Sequence, residues 1–227
     1  MKKHIPNALT LANALSGCIG IFWVEKNLVI AAYFIFIGLF FDFFDGFVAR
    51  LLHVKSEIGK QLDSLADAVT FGVLPAFIAQ KLWLSHNNNE FLVYFPFLLA
   101  LFSVLRLAKF NIDTRQTDSF IGVPTPANAL IWASFPLILA YQPSDLAKSI
   151  IGNAWFLGVS ILLMSYLLVA ELPLFALKFK DFSWKNNQIK YIFLILSLIL
   201  IIFLQFWAIP LIIFLYIGLS FIKKLKI

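Results

Sequence analysis

Apolar residues run through this chain in unbroken stretches rather than in the alternation of a half-buried strand or the spaced stripe of a one-faced helix. Eight stretches stand out, at 8–24, 28–51, 62–83, 91–110, 124–142, 150–176, 190–205 and 208–222. Each is near the ~20 residues that carry a helix across a hydrocarbon core of about 30 Å. The sixth is the cleanest, with no charge between Ile150 and Ala170. The last two are parted only by Gln205, Trp207 and Pro210. As one helix, the uncharged run from Tyr191 to Ile222 would measure about 48 Å at ~1.5 Å per residue, so the pattern predicts two short spans joined by a turn at headgroup level. Trp favours that level and Pro breaks the helix there. Continuous runs also argue against the strands of an outer-membrane barrel.

Composition turns this pattern into a solvent. Of 227 residues 61% are hydrophobic and 13% charged, with a mean hydropathy of +0.90, against about 25% charged in soluble domains. A water-soluble globule and a disordered chain are both excluded, leaving an all-α polytopic membrane bundle of about eight helices as the expected fold. Cys18 is the single cysteine, so the chain can build neither a disulfide nor a thiolate zinc site within itself. With the N-terminus in the cytoplasm and eight spans, only Lys26, Lys81 and Lys148 of the 18 Lys and Arg fall outside. Seven spans would export Lys223, Lys224 and Lys226. The formal charge of +6 thus reads as membrane topology and attraction to anionic lipid or phosphate rather than to nucleic acid. No linker, repeat or cleavable signal is evident, and residues 1–227 read as a single integral membrane domain.

The chemistry lies where acids enter the spans. Asp42 and Asp45, three apart, end the second stretch, and Asp63 and Asp67, four apart, begin the third. These spacings place each pair on one helix face, and the short loop between them makes the two helices antiparallel neighbours, so four carboxylates can converge. A single Asp near a membrane boundary is well explained as a cap or an anchor. Four on facing helices repel one another and call for cations. Hard oxygen donors without His or Cys suit Mg²⁺, Mn²⁺ or Ca²⁺ rather than Zn²⁺, and four carboxylates can share two such ions. Around them, Gly46 and Ala49 allow a helix or ligand close to the backbone, Arg50 offers a planar donor for a phosphate oxygen, and Gly59 frees the chain before the third helix. His53, in the basic loop, reads as a solvated residue.

Asp42-x2-Asp45-Gly46-x2-Ala49-Arg50-x8-Gly59-x3-Asp63-x3-Asp67 matches in full the motif of the CDP-alcohol phosphotransferases, membrane enzymes of phospholipid head-group synthesis, and on this core of 42–67 the chain resembles that family. The resemblance implies that Asp42, Asp45 and Asp63 are the principal ligands of two divalent cations that engage the diphosphate of a CDP-linked donor. It makes Asp67 the general base, also touching the second ion. It places Gly46, Arg50 and Ser56 against nucleotide or phosphate, and Asn7 with Thr10 in the cytidine pocket. Caps are the alternative reading of Ser56, Thr10 and Asn7. A homodimer in the bacterial cytoplasmic membrane, with N-terminus and site facing the cytoplasm, is also implied.

Beyond the core, Arg106-Leu-Ala-Lys109-Phe-Asn111, then Asp113-Thr-Arg115 and Phe120-Ile-Gly-Val-Pro-Thr125-Pro-Ala-Asn128, resembles the matching region of family members that use serine as acceptor, within a likeness covering about the first 135 residues. The implied reaction moves the phosphatidyl group of CDP-diacylglycerol to L-serine and releases CMP. Arg106 and Lys109, three apart, can receive the serine carboxylate or a lipid phosphate, and Asn111 and Asn128 can accept from its ammonium. The alternative for Arg106, Lys109 and Arg115 is a purely topological role. Glycerol 3-phosphate or inositol are the alternative acceptors. A cation-coupled transporter is the alternative of another class, although no second copy of the motif occurs and transporter sites lie at the midplane.

Overall fold

The computed structural model describes residues 4–54, 56–85, 92–113, 119–175, 177, 181 and 183–225. Polar caps set where several helices begin. After α1 (His4–Val24), the Asn27 side chain accepts from the N–H groups of Val29 and Ile30 at 2.9 and 3.2 Å and opens α2 (Leu28–Leu51). The Ser56 hydroxyl accepts from the Gly59 N–H at 3.2 Å and opens α3 (Glu57–Asp67). α3 passes through a π-helical turn (Ala68–Val73) into α4 (Leu74–Leu84), so the third stretch is one helical run with a polar first turn. A 3-10 turn at Phe95–Phe97 leads into α5 (Leu98–Ile112). α6 (Thr125–Tyr141) follows, then α7 (Asp145–Ile151), capped by Ser144, and α8 (Ala154–Val169), capped by Asn153. α9 (Trp184–Leu204) is joined to α10 (Ala208–Leu225) by a 3-10 turn at Gln205–Trp207.

Among the described residues five helical runs are long and apolar enough to cross a bilayer, and the α7–α8 pair, bent by 59°, makes a sixth. α6 has 17 residues and is enclosed on all sides, with Ile131, Trp132, Leu137 and Ile138 in the core. A helix apolar all round belongs at the centre of a bundle. Elsewhere large apolar side chains face outward: Phe43 is 60%, Phe203 78% and Trp155 85% exposed. So much exposed apolar surface identifies lipid as the solvent.

Two local outcomes depart from the hydropathy reading. α8 stops at Val169 rather than near 176, and residues 173–175 instead form β2 (Pro173–Phe175), antiparallel to β1 (Ser119–Ile121) with Phe120 opposite Leu174. Pro173 has no N–H to continue the helix. Gly122 follows β1 at φ +74°, where a Cβ would lie 2.5 Å from the Leu168 carbonyl oxygen, so the ribbon closes on α8 only with glycine there. The last apolar run, by contrast, doubles back as its length requires. The rings of Phe193 on α9 and Tyr216 on α10 lie 5.6 Å apart, a pair that a straight helix would hold about 34 Å apart. Gln205, at φ +49°, makes the turn.

The chain reversals gather at two opposite ends. At one, Lys81 pairs with Glu25, and Gln142 clasps the α9–α10 turn by donating to the Leu204 carbonyl at 3.2 Å and accepting from the Phe206 N–H at 2.9 Å. At the other, Lys60 donates to the Asn111 carbonyl at 2.9 Å, the Gly122 N–H to the Leu172 carbonyl at 3.0 Å, and the Tyr216 hydroxyl to the Phe175 carbonyl at 2.6 Å. This second end carries the four motif aspartates. There α1 lies against α2 and the α3–α4 run through small residues: a Cβ on Gly17 would sit 2.5 Å from Thr70 Oγ1 and 2.8 Å from Thr70 Cα, and one on Gly38 2.4 Å from Thr70 Cγ2. Gly17→Ala is therefore expected to cost about 1–3 kcal/mol through overpacking and to lower the thermal unfolding midpoint in detergent. Gly218→Ala, on α10 with open space around it, should leave that midpoint unchanged or slightly raised.

Candidate active site

α2 ends and α3 begins around a tight reversal in which His53 takes φ +51° and the Val54 N–H returns to the Ala49 carbonyl at 3.0 Å. This turn sets the last turns of α2 beside the first turns of α3. Asp42, Asp63 and Asp67 each bring a carboxylate oxygen within 4.8 Å of the other two. Asp45, one turn further along α2, is buried and faces α1, its Oδ2 accepting from the Thr10 hydroxyl at 2.7 Å. The three converging acids are hard donors with no nitrogen or sulfur ligand among them, and they can hold a divalent metal ion.

Beside the acids a cleft of about 180 Å³ opens between the ends of α1, α2 and α3. Pro6, Asn7 and Thr10 line it from α1, Asp45, Gly46 and Ala49 from α2, Val54 and Ser56 from the turn, and Gly59, Lys60 and Asp63 from α3. Its walls depend on small residues. A Cβ on Gly59 would meet Asn7 Oδ1 at 3.2 Å, and one on Gly46 would meet only Arg50 Nη1, at 3.6 Å, so Gly46 leaves room between the cleft and that guanidinium. Arg50 itself is exposed. Asp45, Asp63 and Lys60, with the Asn7 amide and the Thr10 and Ser56 hydroxyls, set charged and hydrogen-bonding groups into walls that are otherwise largely apolar.

A basic group feels the charge of Asp67. Arg106, on α5, is buried, and Asp67 is the acid whose charge acts on it. Its Nη1 donates to Thr125 Oγ1 at 3.2 Å, its Nε has no partner, and the Phe110 ring lies 5.5 Å from Cζ. Asn128, one turn beyond Thr125 on α6, accepts from Trp132 Nε1 at 3.3 Å and keeps a buried Nδ2 without a partner. Asn111 is tied to α3, its amide donating to Ser64 Oγ at 2.9 Å and its carbonyl accepting from Lys60. Lys109 is exposed at the free end of α5.

Of the residues singled out in the sequence, Asn7, Thr10, Asp45, Gly46, Ser56 and Asp63 meet around the cleft, and Asp42, Asp63 and Asp67 meet as the acidic trio. The Ser56 hydroxyl also caps α3, and Thr10 sits inside α1 rather than capping it. Arg106 lies apart from both, bonded to Thr125 one turn before Asn128 on α6. Arg115 lies outside the described residues. Sequence reasoning passed over Lys60, which lines the cleft, Thr125, which receives Arg106, and Asn13, whose Nδ2 donates to Asp67 Oδ1 at 3.2 Å. The signal for Asn13 was a polar stripe at steps of three, Asn7–Thr10–Asn13, in an otherwise apolar helix.

The family profile described as CDP-alcohol phosphatidyltransferase matches residues 3–166, which extends the likeness beyond the first 135 residues into α8. A CDP-diacylglycerol–serine O-phosphatidyltransferase of Bacillus subtilis is 37% identical over 160 residues, covering 68% of this chain and 90% of its own length. One from Helicobacter pylori is 32% identical over 202 residues, covering 86% and 81%. An archaetidylserine synthase of Methanothermobacter thermautotrophicus is 33% identical over 165 residues, covering 71% and 67%.

Bare carboxylates this close repel, so a cation should stabilise the fold as well as act in it. EDTA is expected to lower the thermal unfolding midpoint in detergent and Mg²⁺ or Mn²⁺ to restore it. Asp63→Ala should shrink that cation-dependent rise, and a midpoint indifferent to chelator contradicts the metal site.

Proposed function

The chain belongs to the CDP-alcohol phosphatidyltransferase family, and we propose that it transfers the phosphatidyl group of CDP-diacylglycerol to L-serine, giving phosphatidylserine and CMP. The observation that carries this reading is the convergence of Asp42, Asp63 and Asp67 beside a cleft that carries charged and hydrogen-bonding groups, at one end of an apolar bundle. There a lipid-linked donor in the bilayer and a soluble acceptor from water can meet. The names of the relatives support serine as the acceptor.

In this reading Asn7, Thr10, Gly46, Arg50 and Ser56, with Lys60, hold the CDP part of the donor, and its acyl chains follow the outward Phe43 and Phe47 of α2, at the same depth as the acids. Asp42, Asp45, Asp63 and Asp67 would hold two divalent cations, Mg²⁺ or Mn²⁺, with Ca²⁺ the other hard-ion choice. When bound, such ions neutralise charge on the diphosphate and on the departing CMP. Asp67 takes the proton of the serine hydroxyl as its oxygen bonds to the phosphorus that carries diacylglycerol. The bond from that phosphorus to the CMP oxygen breaks, and its electron pair leaves with CMP. General-base help of this kind is worth about 10²–10⁴-fold. No Cys or His lies among the residues of the trio or the cleft, so direct displacement is preferred to a covalent protein intermediate.

The Arg106 group supplies the acceptor's recognition. A buried guanidinium with an unpartnered Nε, on which the charge of Asp67 acts, suits the serine carboxylate, and Asn128 and Asn111 are the further acceptor-binding candidates. Lys109, exposed at the end of α5, adds positive charge at the approach. The chain is a single catalytic unit of eight spans, with α6 and the two arms of the last apolar run each crossing once. Its N-terminus and site face the cytoplasm, and it works as a homodimer. The even count and the excess of Lys and Arg at the site end support that orientation.

Purified protein given CDP-diacylglycerol should release CMP when L-serine is added and not when glycerol 3-phosphate or inositol replaces it; release with glycerol 3-phosphate alone rejects the acceptor. Arg106→Ala should raise the apparent KM for serine about 10–100-fold, as the loss of a charge-assisted pair implies, with a smaller change in the KM for the donor. An unchanged serine KM returns Arg106 to a topological role.

A further inference from the structure

Asn13 sits in the middle of α1, fully enclosed, and does not line the cleft. Three contacts fix it. Its Nδ2 donates to Asp67 Oδ1 at 3.2 Å, its backbone carbonyl accepts from Thr70 Oγ1 at 2.8 Å, and its Oδ1 lies 3.0 Å from where a Cβ on Gly38 would stand. That Oδ1 is buried and has no partner. Only Nδ2 of an amide can donate, so the bond to the carboxylate decides which way the amide faces and strands the carbonyl oxygen against the backbone of α2. A buried acceptor without a donor is destabilising, and packing alone would be better served by an apolar side chain of the same size. The arrangement favours the state of Asp67 at the expense of the scaffold.

We propose that Asn13 is a positioning residue for Asp67: by holding Oδ1 it fixes the plane of the carboxylate and presents the other oxygen to the acceptor hydroxyl. The inference rests on the reading of Asp67 as general base. Thr70 and Gly38 make the tether stiff, because the Thr70 hydroxyl pins the α1 backbone at Asn13 and the glycine lets α2 close over the amide. A misplacement near 1 Å can cost about 10²-fold in rate. A group outside the cleft, acting only through Asp67, should affect turnover and leave donor binding alone.

The test compares Asn13→Leu, close in size without a donor, and Asn13→Ala, which cannot overpack, with Asp67→Asn. Turnover, KM for the donor, calorimetric binding of CDP-diacylglycerol and the unfolding midpoint are measured for each. Both Asn13 variants should lose about 100-fold in kcat while donor KM and affinity stay within about threefold of the parent protein, and Asn13→Leu should unfold no earlier than the parent. A kcat within about threefold of the parent in both variants, or a loss that tracks a lowered midpoint and weakened donor binding, overturns the positioning role. Asp67→Asn separates the two ideas. Inactive Asp67→Asn beside active Asn13 variants removes only the tether, whereas near-normal turnover in Asp67→Asn removes the base itself and the tether with it.

Discussion

Like charges held together in a medium that cannot solvate them are the constraint from which the rest of this molecule follows. Two unit charges about 4 Å apart repel by roughly 4 kcal/mol even at an effective dielectric near 20. Asp42, Asp63 and Asp67 make three such pairs. As bare anions they would rival the ~5–15 kcal/mol by which a domain is usually stable. The fold must therefore supply rigidity, so that the carboxylates cannot swing apart, and the site must take positive charge. α1 gives the rigidity: Gly17 and Gly38 admit Thr70 between α1 and α2, and Thr10 and Asn13 donate from the same helix to Asp45 and Asp67. Among the described residues no Lys or Arg donates a hydrogen bond to the trio. Positive charge can come from a divalent ion, which the trio can hold, and from Arg106, on which the charge of Asp67 acts.

This division separates two binding problems that one pocket would solve poorly. A CDP-linked lipid brings a nucleotide, a diphosphate and two acyl chains, and in the proposed reading its CDP part takes the cleft beside the acids, where Gly46, Ala49 and Gly59 stand in place of bulky side chains. Serine brings a carboxylate and must be told from a neutral polyol, which calls for a fixed cation out of water. In the proposed reading Arg106 meets that need, being buried with a donor to spare while Thr125 holds one arm of its fork. The trio lies between the two problems, sharing Asp63 with the cleft and Asp67 with the arginine.

Much of this was legible in one dimension because membrane helices carry their length and depth in their sequence. Stretch boundaries gave α1, α2 and α6 nearly as they stand, and the excess length of the last run required the reversal at Gln205. Steps of three and four gave the acids, since a helix face is a matter of spacing alone. What spacing cannot give is register between helices. Asn13 could be seen as polar, but its partner on α3 depends on how far α1 slides along the α2–α3 pair, and contacts such as Gly17 against Thr70 set that slide. The β1–β2 ribbon escaped for a related reason: three-residue strands, one between apolar runs and one at the end of another, are too short to show alternation, and their pairing joins distant segments. Lys109 shows the opposite limit. Its three-residue step from Arg106 suggests a shared face, yet that step turns a helix by about 300°, and at the free end of α5 a long side chain uses the difference to reach solvent.

The π-helical turn right after Asp67 joins these points. A wide turn inserts a residue into a helix and shifts every later side chain around the axis. Below it, α3 presents Asp63 and Asp67 to Asp42 across the acidic trio. Above it, α4 must present Leu74, Ala76 and Ile78 to the apolar core, all without exposure. A regular helix would carry one face straight into the other, forcing either the acids off the site or the core residues out of register. The turn lets one span serve both, and the cost of its looser hydrogen bonding is met by Thr70, which lies inside the turn and bonds to α1 rather than to its own helix. The same hydroxyl that steadies the irregular turn pins the backbone of Asn13, so the irregularity and the tether on Asp67 are parts of one device. Its geometry explains why α1, which supplies none of the converging carboxylates, is nonetheless the helix that holds the site in shape.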